Sequence, residues 1–307
     1  MVIEKRIPSY LNIAEDDFKK RINLLWDNLR SCTLCPRNCN VDRLSGETGG
    51  CRADSRLFIS SYNLHFGEEP PISGVRGSGT IFFSHCLSRC FYCQNYPISQ
   101  MGYGNEYSVG DLTEMMVHLQ KKGAHNINFV TPTHYIPHIV KAIYIARKKG
   151  LSIPIVYNTF GYESIEILKM LDGIVDIYLP DMRYSENKFA AKFSAVANYV
   201  EINRAAIKEM FRQVGNLITK DGIAKKGVIV RLLVLPNRIS GTIDTLNFLK
   251  QEVSPDIYIS FMDQYFPAYK AKKYDLLNRM ITIGEYKEVL AVAKDFNGWI
   301  QKTRGYQ

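Results

Sequence analysis

Thr80-Ile-Phe-Phe83, followed by Ser84-His85-Cys86-Leu-Ser-Arg-Cys90-Phe-Tyr-Cys93, is the stretch from which the rest of the chain can be read. The first four residues form a strand-sized apolar run, and three cysteines with gaps of three and two residues come directly after it. A loop of that length can turn three sulfurs toward one point, and soft thiolates suit zinc or an iron–sulfur cluster. Three ligands fill three corners of a four-iron cube and leave one iron open to another molecule. Downstream, apolar runs alternate with segments of helical periodicity, as parallel βα units require. The pattern predicts strands at about 80–83, 126–131, 153–158, 174–179, 228–235 and 257–261, with two helices within 184–226. Asp111-Leu-Thr-Glu114 and Thr282-Ile-Gly-Glu285 read as capping boxes that open helices. Met115 and Met116 fall on the apolar face of the first and are assigned to the core.

A chain of 307 residues fits one main α/β domain with an N-terminal extension, and its 46% apolar content supports a large core. No apolar stretch reaches the roughly 18 residues needed to span a bilayer. The start, Met1-Val-Ile-Glu-Lys-Arg6, lacks the apolar core of a secretory signal, so a soluble, cytoplasmic protein is expected. Seven cysteines, odd in number and clustered, argue for metal sites in a reducing compartment rather than a disulfide framework. The net charge of +9 favours an acidic partner, which could be nucleic acid, an acidic protein surface or an anionic small molecule. The basic residues are spread along the chain, however, as on an ordinary solvated surface. Gly74, Gly77 and Gly79 precede a strand rather than follow one, so a dinucleotide-binding fold is not supported.

Ahead of the first strand, Phe18, Ile22, Leu25 and Trp26 recur at helical spacing and predict a packing helix. Next come Cys32, Cys35, Cys39 and Cys51, a C-x2-C-x3-C-x11-C pattern with turn-forming glycines before the last cysteine. Four such thiolates can close around zinc or a second iron–sulfur cluster, and spacing alone does not choose between them. A segment this short has little core of its own, so the metal would supply much of its folding energy.

The C-x3-C-x2-C run of Cys86, Cys90 and Cys93, with the aromatic Tyr92 before the last cysteine, resembles the signature of the radical S-adenosylmethionine (SAM) superfamily. The longer run of Phe66-Gly-Glu-Glu-Pro-Pro71, Gly77-Ser-Gly-Thr-Ile-Phe-Phe83, the cysteines, Gln94-Asn95 and Ile98-Ser99 is similar to a narrower family. Its members are the pyruvate formate-lyase activating-enzyme-like proteins, which resemble activators of glycyl radical enzymes. The resemblance implies an α/β fold: a partial (β/α)6 TIM-like radical SAM barrel with an N-terminal cysteine-rich extension. That divides the chain into a helix and four-cysteine segment over 1–75 and the barrel over 76–307. It also implies a [4Fe-4S] cluster on Cys86, Cys90 and Cys93, SAM at the open iron, and zinc or a second cluster on Cys32, Cys35, Cys39 and Cys51.

Reactive groups of such barrels collect at the carboxyl ends of the strands. The resemblance places Tyr92 beside the cofactor. After the second predicted strand, Thr131 and Thr133 stand where many relatives carry a Gly-Gly-Glu segment for the SAM amino group, and this chain has none. His134 follows as a candidate for substrate or SAM contact. Asn158 ends the third strand and could bond the ribose or the methionine part. Asp181-Met-Arg183 ends the fourth and resembles an Asp-x-Lys segment, with arginine replacing lysine. Arg231, inside an otherwise apolar strand, is costly unless it is paired or points into a polar cavity, and is expected inward near the SAM carboxylate. Asp263, Gln264 and Tyr265 follow the sixth strand as pocket candidates.

The function implied is reductive cleavage of SAM to a 5′-deoxyadenosyl radical that takes hydrogen from a substrate. By the family resemblance that substrate is a glycine of a glycyl radical enzyme, with flavodoxin or ferredoxin as the electron donor. Two alternatives stay open at this point. The radical could act on RNA or a small metabolite, or the protein could be a non-catalytic iron–sulfur or zinc module in which Cys51 or His85 supplies a fourth ligand. No membrane partner is expected.

Overall fold

The computed structural model describes residues 8–301. Its strands are β1 (Leu57–His65), β2 (Ser78–Phe83), β3 (Asn105–Tyr107), β4 (Ile127–Val130), β5 (Ile155–Thr159), β6 (Ile177–Pro180), β7 (Ile218–Lys220), β8 (Ile223–Leu233), β9 (Tyr258–Met262) and β10 (Asn297–Ile300). Six of these, in the order β2-β4-β5-β6-β8-β9, run parallel and correspond to the six predicted from the apolar runs. Helices fill most of the crossovers, including Asn187–Ser194 and Tyr199–Val214 in the long span between β6 and β8. The result is the expected α/β architecture with a mostly parallel, open-ended sheet. β10 adds parallel to β9, whereas β1 and β3 add antiparallel beyond β2 and β7 makes a hairpin with β8.

The four added strands are short, polar or half-exposed, so they carry no continuous apolar signal. β1 has the burial pattern of an edge strand, inward at Leu57 and Ile59 and open to solvent over Ser61–Asn63. The predicted capping box at Asp111 also shifts. Ser108 caps the helix Val109–Lys121, accepting from the Asp111 N–H at 3.1 Å while Asp111 accepts from the Ser108 N–H at 2.8 Å. Asp111 is thus the third helical residue rather than the cap. Thr282 and Glu285 form their box as read, and Met115 and Met116 are buried. In the first helix, Glu15–Asp27, Phe18, Ile22 and Leu25 are buried, and Phe18 packs on Tyr144 with ring centroids 5.5 Å apart.

Alternation along the strands separates two apolar layers, because successive side chains of a strand face opposite sides. Ile155, Tyr157, Tyr178, Val228 and Val230 belong to the main core shared with the helices. Val156, Ile177, Leu179 and Ile229 face the other way and pack with Ile72 in a small second cluster. Ile72 comes from the single-turn helix Pro70–Ser73. That cluster forms the floor inside the curved sheet. Two residues beyond Ile229 on the same face is Arg231, and two beyond Val156 is Asn158. The strand periodicity therefore places both polar side chains inside, toward the carboxyl rim.

Candidate metal and cofactor sites

The three-cysteine loop leaves β2 at this rim. His85 turns the chain with φ 70°, its N–H bonded to the Ile98 carbonyl at 3.0 Å and its ring edge-on to Phe58 at 6.0 Å. Each of the following sulfurs has a donor beside it. The Ser88 N–H points to Cys86 Sγ at 3.4 Å, the Ser88 and Ser194 hydroxyls lie 2.9 and 3.1 Å from Cys90 Sγ, and the Ser99 hydroxyl lies 3.1 Å from Cys93 Sγ. Burial pushes the thiols up, Cys90 to about 11, against these hydrogen bonds and the nearby charge of Arg183. Bare thiolates are therefore opposed by the site, and a cation would have to hold them.

Facing the loop is a buried charge network. Asp181 accepts from Arg231 Nε at 3.0 Å with one oxygen and from Arg183 Nη2 at 2.7 Å with the other. Arg231 also donates to Asn158 Oδ1 at 2.6 Å and lies 3.8 Å from Glu68, whose carboxyl burial raises above its ordinary range. Arg183 Nη1 is buried without a hydrogen-bond partner, as are Asn128 Oδ1 and Ser260 Oγ. A buried guanidinium nitrogen with nothing to bond is costly unless a ligand completes it. Asn158, Asp181, Arg183 and Arg231 thus come together in one constellation.

The other residues singled out from the sequence are placed differently. Tyr92 is buried, its hydroxyl 2.7 Å from that of Tyr184, which in turn lies 2.7 Å from the Ser194 hydroxyl. Thr131 directly follows β4 with φ 61°, an unusual conformation for a β-branched residue, held by its N–H bond to the Asn158 carbonyl at 2.9 Å. Thr133 donates to Glu163 at 2.7 Å. His134 donates through Nε2 to the Ser84 carbonyl at 2.8 Å, and burial pushes its pKa down to about 3. Both Thr133 and His134 line a second cavity, away from the Arg183 network. Tyr265 bonds the Leu277 carbonyl at 2.6 Å, Gln264 offers its carbonyl to Gln94, and Asp263 is buried at the end of β9.

Cys32, Cys35, Cys39 and Cys51 line that second cavity together with Leu34, Val41, Arg43 and Leu87. All seven cysteines are free thiols. Arg43 is fully buried beside Cys32, with Nη1 4.0 Å from its sulfur, and donates to the carbonyls of His134 at 2.8 Å and Asp54 at 2.6 Å. The Gly50 N–H points to Cys39 Sγ at 3.2 Å. Among the described residues, no three His, Cys, Asp or Glu side chains gather closely enough to hold a single metal ion, in either cysteine group.

Sequence reasoning missed Glu68, Glu163, Arg37, Arg43 and Arg89. Glu68 and Glu69 stood in a quoted motif, but with β1 unread nothing showed that Phe66–Pro71 folds back beneath the sheet. Glu163 is buried, accepts from Thr133 and Thr159 as well as from Tyr157 at 3.2 Å, and is pushed up to about 7 by burial. The hydroxyl-rich ends of β4 and β5 were the available signal. Arg37 and Arg89 bond the Leu87 and Gly50 carbonyls and so tie the two cysteine segments together.

The Radical SAM superfamily model matches residues 80–249, more than half of the 307. The uncharacterized protein MJ0674 of Methanocaldococcus jannaschii is 30% identical over 287 residues, covering 90% of this chain and 78% of its own. A second uncharacterized protein of that organism, MJ0808, is 24% identical over 266 residues, covering 80% and 73%. Among solved structures, methylornithine synthase (PylB) matches 95% of this chain and 73% of its own at 13% identity and a TM-score of 0.49. Streptococcus suis SuiB bound to S-adenosylmethionine matches 70% of this chain at 11% identity and a TM-score of 0.48. The chain spans about half the length of SuiB, 48%.

Proposed function

The chain belongs to the radical SAM superfamily, and from that membership we propose that Cys86, Cys90 and Cys93 hold the [4Fe-4S] cluster of a SAM-cleaving enzyme. The family implies an enzyme with that cluster and SAM as cofactors. The residues present fit both groups. Three sulfurs with hydroxyl and N–H donors beside them suit a cluster gripped at three corners. The partnerless Nη1 of Arg183, at the same rim, suits a carboxylate. When bound, the cluster supplies one electron to SAM and a carbon radical results.

The chain's own work is then binding and orientation. Arg183 and Arg231, held by Asp181, would fix the methionine part of SAM. Asn158 carries the weakest claim to a direct contact, because its amide oxygen is already taken by Arg231. Thr131 would present its backbone carbonyl at the rim, while Thr133, bonded to Glu163 and facing the other cavity, would act from behind. The same reading gives the four N-terminal cysteines a metal of their own, zinc or a second cluster. For the substrate we take the backbone of a glycine in a partner protein, on the resemblance of the runs around Phe66–Pro71 and Cys86–Cys93, with a flavodoxin or ferredoxin delivering the electron in the cytoplasm.

The observation that carries the reading is the juxtaposition of three donor-flanked cysteines with an arginine whose guanidinium is incompletely bonded. Anaerobic reconstitution with iron and sulfide, then reduction with SAM, should yield 5′-deoxyadenosine, and Cys86→Ala, Cys90→Ala or Cys93→Ala should abolish it. Retention of the product by each variant would overturn the assignment. A glycyl radical signal on an added partner would identify the target, whereas product formed on RNA would replace it.

A further inference from the structure

We propose that the outer face of the three-cysteine loop is a docking surface, built from lysines around Phe91, for an acidic protein that carries one electron to the loop. The inference rests on the assignment of a cluster to Cys86, Cys90 and Cys93, and it adds where the electron enters and which charge guides it. Phe91 and Tyr92 are neighbours in the loop but part company. Tyr92 turns inward, is buried and meets the Tyr184 hydroxyl, whereas Phe91 is only partly buried. Phe91 stacks on Tyr274 with ring centroids 4.8 Å apart and meets Phe193 edge-on at 6.4 Å. Phe193 in turn meets Tyr274 edge-on at 6.0 Å. The backbone fastens this layer of three rings. The Phe91 N–H donates to the Phe193 carbonyl at 2.8 Å, and the Phe91 carbonyl accepts from the Lys270 N–H at 2.8 Å. Cys90 directly precedes Phe91, so the layer is the outer wall of the loop.

The rim of that wall is positive. The Lys270 ammonium lies 5.6 Å from the centre of the Phe91 ring, and the Lys192 ammonium lies 5.3 Å from that of Phe193. Lys272 and Lys273 belong to the single 3-10 turn Ala271–Lys273, just before Tyr274. Residues three apart in such a turn share a face, which sets Lys273 on the side of Lys270. Lys192, Lys270, Lys272 and Lys273 are all exposed, and among the described residues none of them forms an ion pair with a carboxylate. The two segments that supply them, 187–194 and 266–274, hold five lysines and no acidic residue. Their stems cover the rings while the charged heads stay in water, free to meet a partner.

Charge of one sign around a small apolar centre selects the kind of occupant. It steers an acidic protein in quickly while burying little area, so the encounter is fast and brief. Redox encounters are of that kind, with interfaces below about 1,200 Å². A partner protein that must place a glycine inside the barrel has a different approach, over the strand ends. Arg183 lies on that inner side, close enough for its charge to act on the Tyr92 phenol. Donor and substrate thus reach one loop from different sides and need not displace each other. The step moves one electron and no atoms: the donor is oxidised by one, the cluster is reduced by one, and the spent donor leaves.

The test uses a photoreduced [2Fe-2S] ferredoxin of net negative charge, mixed anaerobically with the reconstituted protein, and follows the cluster's electron paramagnetic resonance signal after rapid freezing. At low salt the Lys192→Glu, Lys270→Glu, Lys273→Glu triple variant should accept electrons about a hundredfold more slowly than wild type, and the difference should shrink as salt is added. Reduced methyl viologen, a small cation, should reduce the variant no more slowly than wild type. Lys121, Lys122 and Lys220 lie where the chain approaches β4 and β8, at the other end of the strands. Their triple change to Glu alters net charge equally and should slow ferredoxin by less than about threefold. Equal losses in both triples would reduce the effect to net charge and overturn the inference. So would a wild-type rate in the first triple, or a wild type that viologen reduces and ferredoxin does not. Carbodiimide cross-linking, which joins lysine to carboxylate, needs no cluster and separates this inference from the assignment of the loop. Ferredoxin joined at Lys192, Lys270, Lys272 or Lys273 supports the surface even if the loop takes up no iron, and attachment only elsewhere overturns it. A loop cluster that viologen reduces without yielding 5′-deoxyadenosine from SAM would overturn the proposed function alone.

Discussion

The two cysteine groups use one side chain for opposite ends. Around Cys86, Cys90 and Cys93 the donors are serine hydroxyls and one backbone N–H, and across from them stands Arg183 with a nitrogen left over. Around Cys32, Cys35, Cys39 and Cys51 the neighbours are a glycine turn, apolar Leu34 and Val41, and an arginine bonded to two carbonyls. One group sits on the rim of a rigid sheet; the other is folded from loops. The difference teaches that the number of thiolates matters less than what faces the position they leave. Three sulfurs opposite an unfilled donor would make a place for a ligand, whereas four sulfurs around an internal charge would make a fastening.

The comparison is tested most severely at Arg43. Its guanidinium links the four-cysteine loops to Asp54 and to the end of β4 through His134, and it is wholly buried. Arg43→Met would remove several hydrogen bonds at once and leave carbonyls without donors, at about 1–3 kcal/mol for each orphaned group. We expect a loss of about 3 kcal/mol or more in urea unfolding of the reconstituted protein, together with release of the N-terminal metal. The loop cluster's response to SAM should survive in whatever fraction stays folded. A variant that unfolds like wild type and keeps all its metal would erase the distinction between fastening and ligand site.

Arg183 should behave in the opposite way. It is largely buried as well, with 14% of its side chain exposed, but Asp181 keeps Arg231 as a partner when it is gone. Arg183→Met should therefore cost little iron while weakening SAM by about ten- to a hundredfold, the worth of one charge-assisted hydrogen-bond pair. Titration of the cluster's resonance signal with SAM reads the affinity directly. Unchanged affinity would place the SAM carboxylate elsewhere.

How far the sequence could take a reader differs between the same two regions. The barrel was legible because buried parallel strands are written as continuous apolar runs, and because an arginine at position 231 stands out in one of them. Spacing made the three cysteines legible as well. What stayed hidden was anything set by contacts distant in sequence. Glu68 reaches Arg231 only because β1 folds back along β2, and β1 has too little burial to show a strand period. Thr133 and Thr131 read alike as rim hydroxyls, yet one turns to Glu163 and the other is held by the Asn158 carbonyl. Arg43 looked like any loop arginine, because burial without a counter-charge is a property of three dimensions.

The finest test of the comparison lies in the hydroxyls behind Cys90. A thiolate can only accept, so Ser194 must give its hydrogen to Cys90 Sγ, 3.1 Å away. Its oxygen is then free to accept from Tyr184 at 2.7 Å, and Tyr184 from Tyr92 at 2.7 Å. Burial raises both phenols well above their ordinary range, so they stay protonated, and the hydrogens run in one direction toward the sulfur. Donors at sulfur favour the more negative, reduced cluster, and successive bonds polarise one another. Ser194→Ala should lower the midpoint potential of the loop cluster, and Tyr184→Phe should lower it less, since it acts one bond further away. Tyr92→Phe should move it least, with iron content unchanged in all three. Redox titration followed by resonance spectroscopy would order them. Equal shifts in all three variants would show that Tyr92 reaches the cofactor by some route other than this chain of hydroxyls.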